Sequence, residues 1–180
     1  MNAMKKQVGE VILEAVQDDI ANQPEMTAVV NAANAQLMQG GGVAGAIHRA
    51  AGPGLAEECR TMAPIEPGQA VISGAHNLPN KYIIHCLGPV YGMDKPENLL
   101  LADCYRNALR IADENQIDSV AFPAISTGAF GYPFEAATDI TLQTILEVIP
   151  DLKYVRHIRF VLFGEEDFEV YVERLRRLKV

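Results

Sequence analysis

The sequence predicts an α/β layered fold built around one core. Short, branched apolar runs bounded by turn residues alternate with longer stretches whose apolar residues recur at helical spacing. A chain of 180 residues with 49% hydrophobic content supplies about one core of ordinary domain size. There is no internal repeat, low-complexity tract or linker rich in Gly, Pro or Ser, so residues 1–180 are read as a single domain. Residues 1–7 are expected to form a flexible N-terminus. They are basic, but Gly9-Glu10 rather than an apolar stretch follows, so they do not read as a secretory signal.

Taken in order, strands are expected near Val11 to Val16, Ala28 to Asn31, Ala70 to Gly74, Tyr82 to Leu87, Val120 to Ala124 and Ile158 to Phe163, about six in all. Leu101, Cys104, Ala108, Ile111 and Ala112 make one apolar stripe, which predicts a sheet-packing helix from about Glu97 to Asn115. Phe134 to Val148 is apolar on more than one side and is closed by Pro150, so it reads as a well-buried helix. The last helix begins GEEDFEVY and ends ERLRRLK. Acids in its first turn and bases in its last complement the helix macrodipole, and its charges read as a solvated face.

The formal charge of −8 argues against a broad basic face for duplex nucleic acid or an anionic membrane. It leaves room for a small anion, which backbone N–H groups and a helix N-terminus hold locally whatever the global charge. Cys59, Cys86 and Cys104 are odd in number and form no CxxC pair, so neither a disulfide framework nor a zinc cluster is indicated, and a reducing cytoplasm fits. No window approaches a membrane span. His76 has no partner at metal-ligand spacing, and no metal or other cofactor is expected.

Two glycine-bearing segments carry the functional signal. In VVNAANAQLMQGGGVAGAIHRAAG, residues 29–52, a strand breaks into amides, then glycines, then a helix. Gly40, Gly42 and Gly45 formally satisfy G-x-G-x-x-G. However, Asn34 to Gln39 separate them from the strand, and no acid stands at a strand end about 20 residues on, so a plain dinucleotide fingerprint is demoted. In AFPAISTGAFGYP, residues 121–133, a second strand again runs into Ser126-Thr127-Gly128, then Gly131, then a helix. Ligands of open sheets bind beyond the carboxyl ends of strands, so two such loops are placed to clamp one diphosphate between them.

NAANAQLMQGGGVAGAIHRAAGP and PAISTGAFGYP resemble the two signature loops of the macrodomain family. The resemblance runs from V-x-x-D-I at Val16 to Ile20, through LPNKYIIHCLGP and LADCYRNAL, to VLFGEEDFEVY. It is strongest to the MacroD-type branch that includes the bacterial O-acetyl-ADP-ribose deacetylases. It implies a three-layer α/β/α fold with a mixed sheet, ADP-ribose as ligand, and ADP-ribose or an ADP-ribosylated protein as partner.

For the residues, the resemblance implies that Asp19 accepts from the adenine amino group with the Ile20 backbone beside it, although Asp18 stands where the family usually has glycine. Phe163 becomes the aromatic neighbour of adenine. Gly41, Gly42 and Val43 offer backbone N–H groups to the diphosphate, while Ser126, Thr127, Gly128, Ala129 and Phe130 close the other side. Asn34 bonds the distal ribose, and Asn31 braces the loop from behind.

Relatives that hydrolyse ADP-ribosyl esters carry an aspartate ten residues after that asparagine, where this chain has Ala44. A methyl group neither accepts a proton nor orients water. Two routes to catalysis remain: the substrate's own phosphate, or His48, one helical turn after Ala44. The resemblance therefore implies a weakened ester hydrolase, with a non-catalytic ADP-ribose reader as the alternative. Other constellations rank low. His85 and Cys86 are adjacent in a strand and point to opposite faces. Ser126 half matches a nucleophile elbow, but Ala124 replaces the first glycine and nothing brings His157 to it.

Overall fold

The computed structural model describes residues 2–179. Among the described residues seven strands form one sheet: β1 (Ala3–Val8), β2 (Val11–Gln17), β3 (Ala28–Ala32), β4 (Ala70–Gly74), β5 (Tyr82–Cys86), β6 (Ser119–Phe122) and β7 (His157–Leu162). The same residues form five helices: α1 (Gly42–Ala51), α2 (Gly54–Cys59), α3 (Glu97–Glu114), α4 (Phe134–Val148) and α5 (Glu165–Arg177). A single 3₁₀ turn at Ile149–Asp151, which contains Pro150, follows α4.

The strand order is β1-β2-β7-β6-β3-β5-β4. The five inner strands are parallel and the two edges antiparallel. All five parallel strands therefore end on one side, and the loops that leave β2, β3, β5, β6 and β7 gather there. Two apolar clusters cover the sheet faces. Leu101, Tyr105, Leu142, Ile145, Phe168 and Tyr171 bring α3, α4 and α5 onto one, and Ile47, Ala51, Leu55 and Cys59 bring α1 and α2 onto the other. Each fully buried Leu, Ile or Phe among them contributes about 1.5–3 kcal/mol.

Two expectations are corrected. The N-terminal stretch, beyond Met1 at the limit of the described residues, is a strand, which raises the count from six to seven: β1 pairs residue for residue with β2. AMKKQV lacks apolar alternation because it is an edge, and Lys5 and Lys6 there discourage pairing with another chain. The α4 helix is buried on one face only, with Glu135, Asp139, Gln143 and Glu147 exposed. Ile140 and Leu146, the apolar residues flanking that face, are only partly buried, and Thr138, Thr141 and Thr144 join the buried face because their hydroxyls donate to the carbonyls four residues back.

Candidate functional site

The loops after β3 and β6 are neighbours because their strands pair, Ala28 with Val120 and Val29 with Ala121. The first loop is fixed from within. The Asn34 side chain donates to the Met38 carbonyl at 2.8 Å and accepts from the Met38 N–H at 3.0 Å, while Leu37, at φ 56°, is buried beneath. Asn34 is thus a turn-former that also faces the cleft. The loop then closes on α1 at very short range. A β-carbon on Gly45 would lie 2.4 Å from the Gly40 carbonyl oxygen, so only glycine permits this approach.

Helix α1 has no side-chain cap. The N–H groups of Gly42, Val43 and Ala44 have no intrahelical acceptor and make no other hydrogen bond among the described residues, so they and the helix dipole form an anion seat.

The second loop is equally determined. Ser126 adopts φ 68° and its buried hydroxyl donates to the Pro89 carbonyl at 2.8 Å. The Thr127 hydroxyl donates to the Ala124 carbonyl at 2.8 Å. Gly88 makes room for this turn, since a β-carbon there would lie 2.1 Å from Ser126 Oγ. The N–H groups of Gly128, Ala129 and Phe130 make no hydrogen bond among the described residues, so the turn presents a second row of donors.

Between the loops runs a cleft of two chambers. The smaller, about 290 Å³, is lined by Asn34, the glycines 40–42, Val43 and Ala44 on one side and by Ser126, Gly128, Ala129 and Phe130 on the other. The larger, about 530 Å³, is lined by Asp18, Asp19, Ile20, Thr127 and Phe163, together with Arg49 and Asp167. Gly42, Val43, Ala124 and Gly128 line both, so the two chambers meet where the unpartnered amides of both loops lie. A shallow groove of about 510 Å³ between α4 and α5 is remote from these loops, and its Arg174 is already paired with Asp139 and Glu135.

In the larger chamber Asp19 Oδ1 accepts the Ala21 N–H at 2.9 Å, while its second oxygen and the Ile20 N–H make no hydrogen bond among the described residues. They offer an acceptor and a donor side by side, the pattern an adenine edge complements. Phe163 is 86% exposed at the end of β7, an aromatic face with no core role.

Arg49 and Asp167 were not anticipated. Arg49 continues the stripe Gly42, Val43, Ala46 along the cleft face of α1, a spacing that signals a shared helix face. Asp167 lies in the first turn of α5, and burial followed by the neighbouring Glu166 charge raises its pKa.

The structure places His48 outside the cleft. It is 4% exposed, on the side of α1 that packs on the sheet with Ile47 and Ala51, and burial lowers its pKa. One helical turn separates it from Ala44, but it points into the core. Asn31 likewise does not brace the loop: it is fully buried and its amide lies 3.1 Å from His85 Nδ1. His85 Nε2 approaches Ser73 Oγ at 2.9 Å and Cys59 Sγ at 3.6 Å. This imidazole–thiol pair was invisible in the sequence, but burial drives the thiol up to about 11 and the imidazole down to about 3, so neither ionises near neutrality. Cys86 packs on the opposite face, against Cys104. His157 bonds Glu14 at 2.7 Å at the amino end of β7, the far end of the sheet from Ser126.

Among the described residues no cluster of His, Cys, Asp and Glu is arranged to hold a metal, and no helix is long and apolar enough to cross a membrane. A family model described as Macro domain matches residues 30–141. An Enterobacter protein named O-acetyl-ADP-ribose deacetylase is 45% identical over 164 residues, covering 88% of this chain and 91% of that protein. The human protein named ADP-ribose glycohydrolase MACROD2 is 46% identical over 157 residues, 84% of this chain but 36% of that protein. A solved variant of an Oceanobacillus iheyensis macrodomain with ADPR superposes with a TM-score of 0.92 at 38% identity, covering 97% of each chain.

Proposed function

The chain belongs to the macro domain family, and from that premise we propose that it binds ADP-ribose along the two-chambered cleft. Adenosine takes the larger chamber, with its base between Asp19, the Ile20 N–H and Phe163. The diphosphate lies at the junction, and the distal ribose enters the smaller chamber beside Asn34 and Ala44. The observation that carries this reading is the sharing of Gly42, Val43 and Gly128 by both chambers, which puts two sets of unpartnered amides on opposite sides of one point.

The ligand arrives as a small ester such as O-acetyl-ADP-ribose, or as ADP-ribose on an acidic side chain of a protein, in a reducing cytoplasm that suits three free, buried thiols. We further propose that ester hydrolysis is slow, because Ala44 puts a methyl group where hydrolytic relatives carry a carboxylate, and loss of a general base costs about 10²- to 10⁴-fold. What remains is a water placed over the ester carbonyl by the bound ligand and activated by its own phosphate. A reader that turns nothing over is the second reading, favoured by the absence of any carboxylate lining the smaller chamber.

Incubating the protein and an Ala44→Asp variant with O-acetyl-ADP-ribose separates the two. Slow turnover by the parent, raised at least tenfold in the variant, supports the hydrolase. Turnover by the variant alone identifies the reader. Calorimetry that finds no ADP-ribose binding overturns both.

A further inference from the structure

We infer that Gln23 is a positioning residue for the adenosine end of the cleft, setting the geometry of Asp19 and Ile20 through a buried relay that starts at Glu14. The inference rests on the cleft binding an adenosine nucleotide and adds how this chain's own loop is held. Asp18 brings a carboxylate to this loop. Its Oδ1 accepts the Asp19 N–H at 2.8 Å and its Oδ2 accepts from Gln23 Nε2 at 3.1 Å. The same Gln23 nitrogen donates to the Asp19 carbonyl at 2.8 Å, so one fully buried amide grips both residues.

The amide is itself oriented. Its Oε1 accepts from Arg159 at 2.8 Å, and Arg159 is held by the buried Glu14 at 2.8 Å. Asn80 fixes the Gln23 backbone by donating to its carbonyl at 2.8 Å. A neutral amide is the group that fits here, because its carbonyl faces a guanidinium while its N–H₂ faces a carboxylate. A carboxylate in its place would keep the Arg159 contact and repel Asp18. A leucine would strand both charged partners.

The parent, Gln23→Glu and the double variant Gln23→Glu/Asp18→Asn are titrated by NMR with AMP, which fills the adenosine end, and with ribose 5-phosphate, which fills the distal end. Gln23→Glu should weaken AMP by about tenfold and leave ribose 5-phosphate within about twofold. Asp18→Asn in that background supplies an amide to the new carboxylate but leaves the Asp19 carbonyl without its donor, so it should restore part of the AMP affinity, about threefold. A purely structural role would weaken both ligands together and gain nothing from Asp18→Asn. Unchanged AMP affinity, equal loss of both ligands, or no rescue overturns the inference while leaving the binding reading intact. A parent that fails to bind AMP overturns the binding reading and this inference with it. Should Gln23→Glu not fold, Asp18→Ala, which leaves the buried Arg159 contact in place, should show the same selective loss of AMP, and an equal loss of both ligands, or none, would refute it.

Discussion

Replacing Gly45 by alanine sets two effects of opposite sign against each other. In the interior of α1, alanine should stabilise by up to about 1 kcal/mol through helix propensity. Against this, its β-carbon would lie 2.4 Å from the Gly40 carbonyl oxygen, where ordinary contact begins at 3.4 Å, so the loop must retreat by about 1 Å. The obstacle is backbone fixed by the Asn34–Met38 turn rather than a side chain that can swing away, as Arg49 can at 2.9 Å. Overpacking of this kind costs about 1–3 kcal/mol, so with the propensity gain set against it the net loss is about 0–2 kcal/mol. The displaced segment contributes to the anion seat, so ADP-ribose affinity should fall by about tenfold, near 1.4 kcal/mol. Urea unfolding and calorimetry read the two losses. Gly128→Ala is the control: nothing lies within 4 Å of its β-carbon, and stability should stay within about 0.5 kcal/mol of the parent. A Gly45→Ala protein as stable as the parent, with unaltered affinity, would refute the steric account of the loop.

Three further outcomes are expected. Phe163→Ala should leave stability within about 0.5 kcal/mol of the parent because the ring is solvent-exposed, yet weaken AMP by roughly threefold to tenfold, measured by calorimetry. Ser126→Ala should cost about 1–3 kcal/mol of unfolding free energy by stranding the Pro89 carbonyl, while any ester turnover per bound substrate persists, whereas a serine nucleophile would lose it entirely. Asp113 accepts the N–H groups of Lys153, Tyr154 and Val155; burial raises its pKa but these bonds outweigh it and hold it below the ordinary value. Its contribution is therefore present above its unfolded pKa of about 3.9 and disappears as pH falls through the lower folded value. Asp113→Asn should unfold at lower urea than the parent at pH 7, with the gap narrowing as pH falls below the unfolded pKa of about 3.9.

The strands legible in the sequence were those with local signals. Val120 and Ile158 begin apolar runs because their strands are buried on both faces, a demand of the parallel inner sheet. The edge strand β1 was illegible because its pairing with β2 supplies what AMKKQV lacks in apolar pattern. The two glycine loops were legible because a glycine run answers a local need, here the approach of Gly40 to Gly45. Residues that act across the fold were not. Gly88 is required by Ser126, 38 positions on in a different loop. Gln23 derives its role from Arg159 on β7, and His85 meets Cys59 only once α2 packs on the sheet. Spacing would have found Arg49 through its helix face. No local pattern marks Asp167, whose place depends on where α5 begins relative to Phe163.

The distribution of charge along the cleft reconciles the proposed anionic ligand with a chain of net charge −8. The carboxylates lining the cleft, Asp18, Asp19 and Asp167, all belong to the larger chamber, where the proposed ligand offers a neutral base and hydroxyl groups that donate. Among the described residues, none that lines the smaller chamber carries a charged side chain. Two like unit charges about 8 Å apart at an effective dielectric near 20 repel by roughly 2 kcal/mol, so a carboxylate in the smaller chamber is a cost to diphosphate binding that only catalysis would justify. Backbone N–H groups at the junction carry no such cost: they are fixed by the fold, add no net charge and are insensitive to the acids elsewhere on the surface. Ala44 thus fits the proposed site as one that retains its ligand: on that reading the methyl group that would slow hydrolysis also removes the charge that would oppose binding.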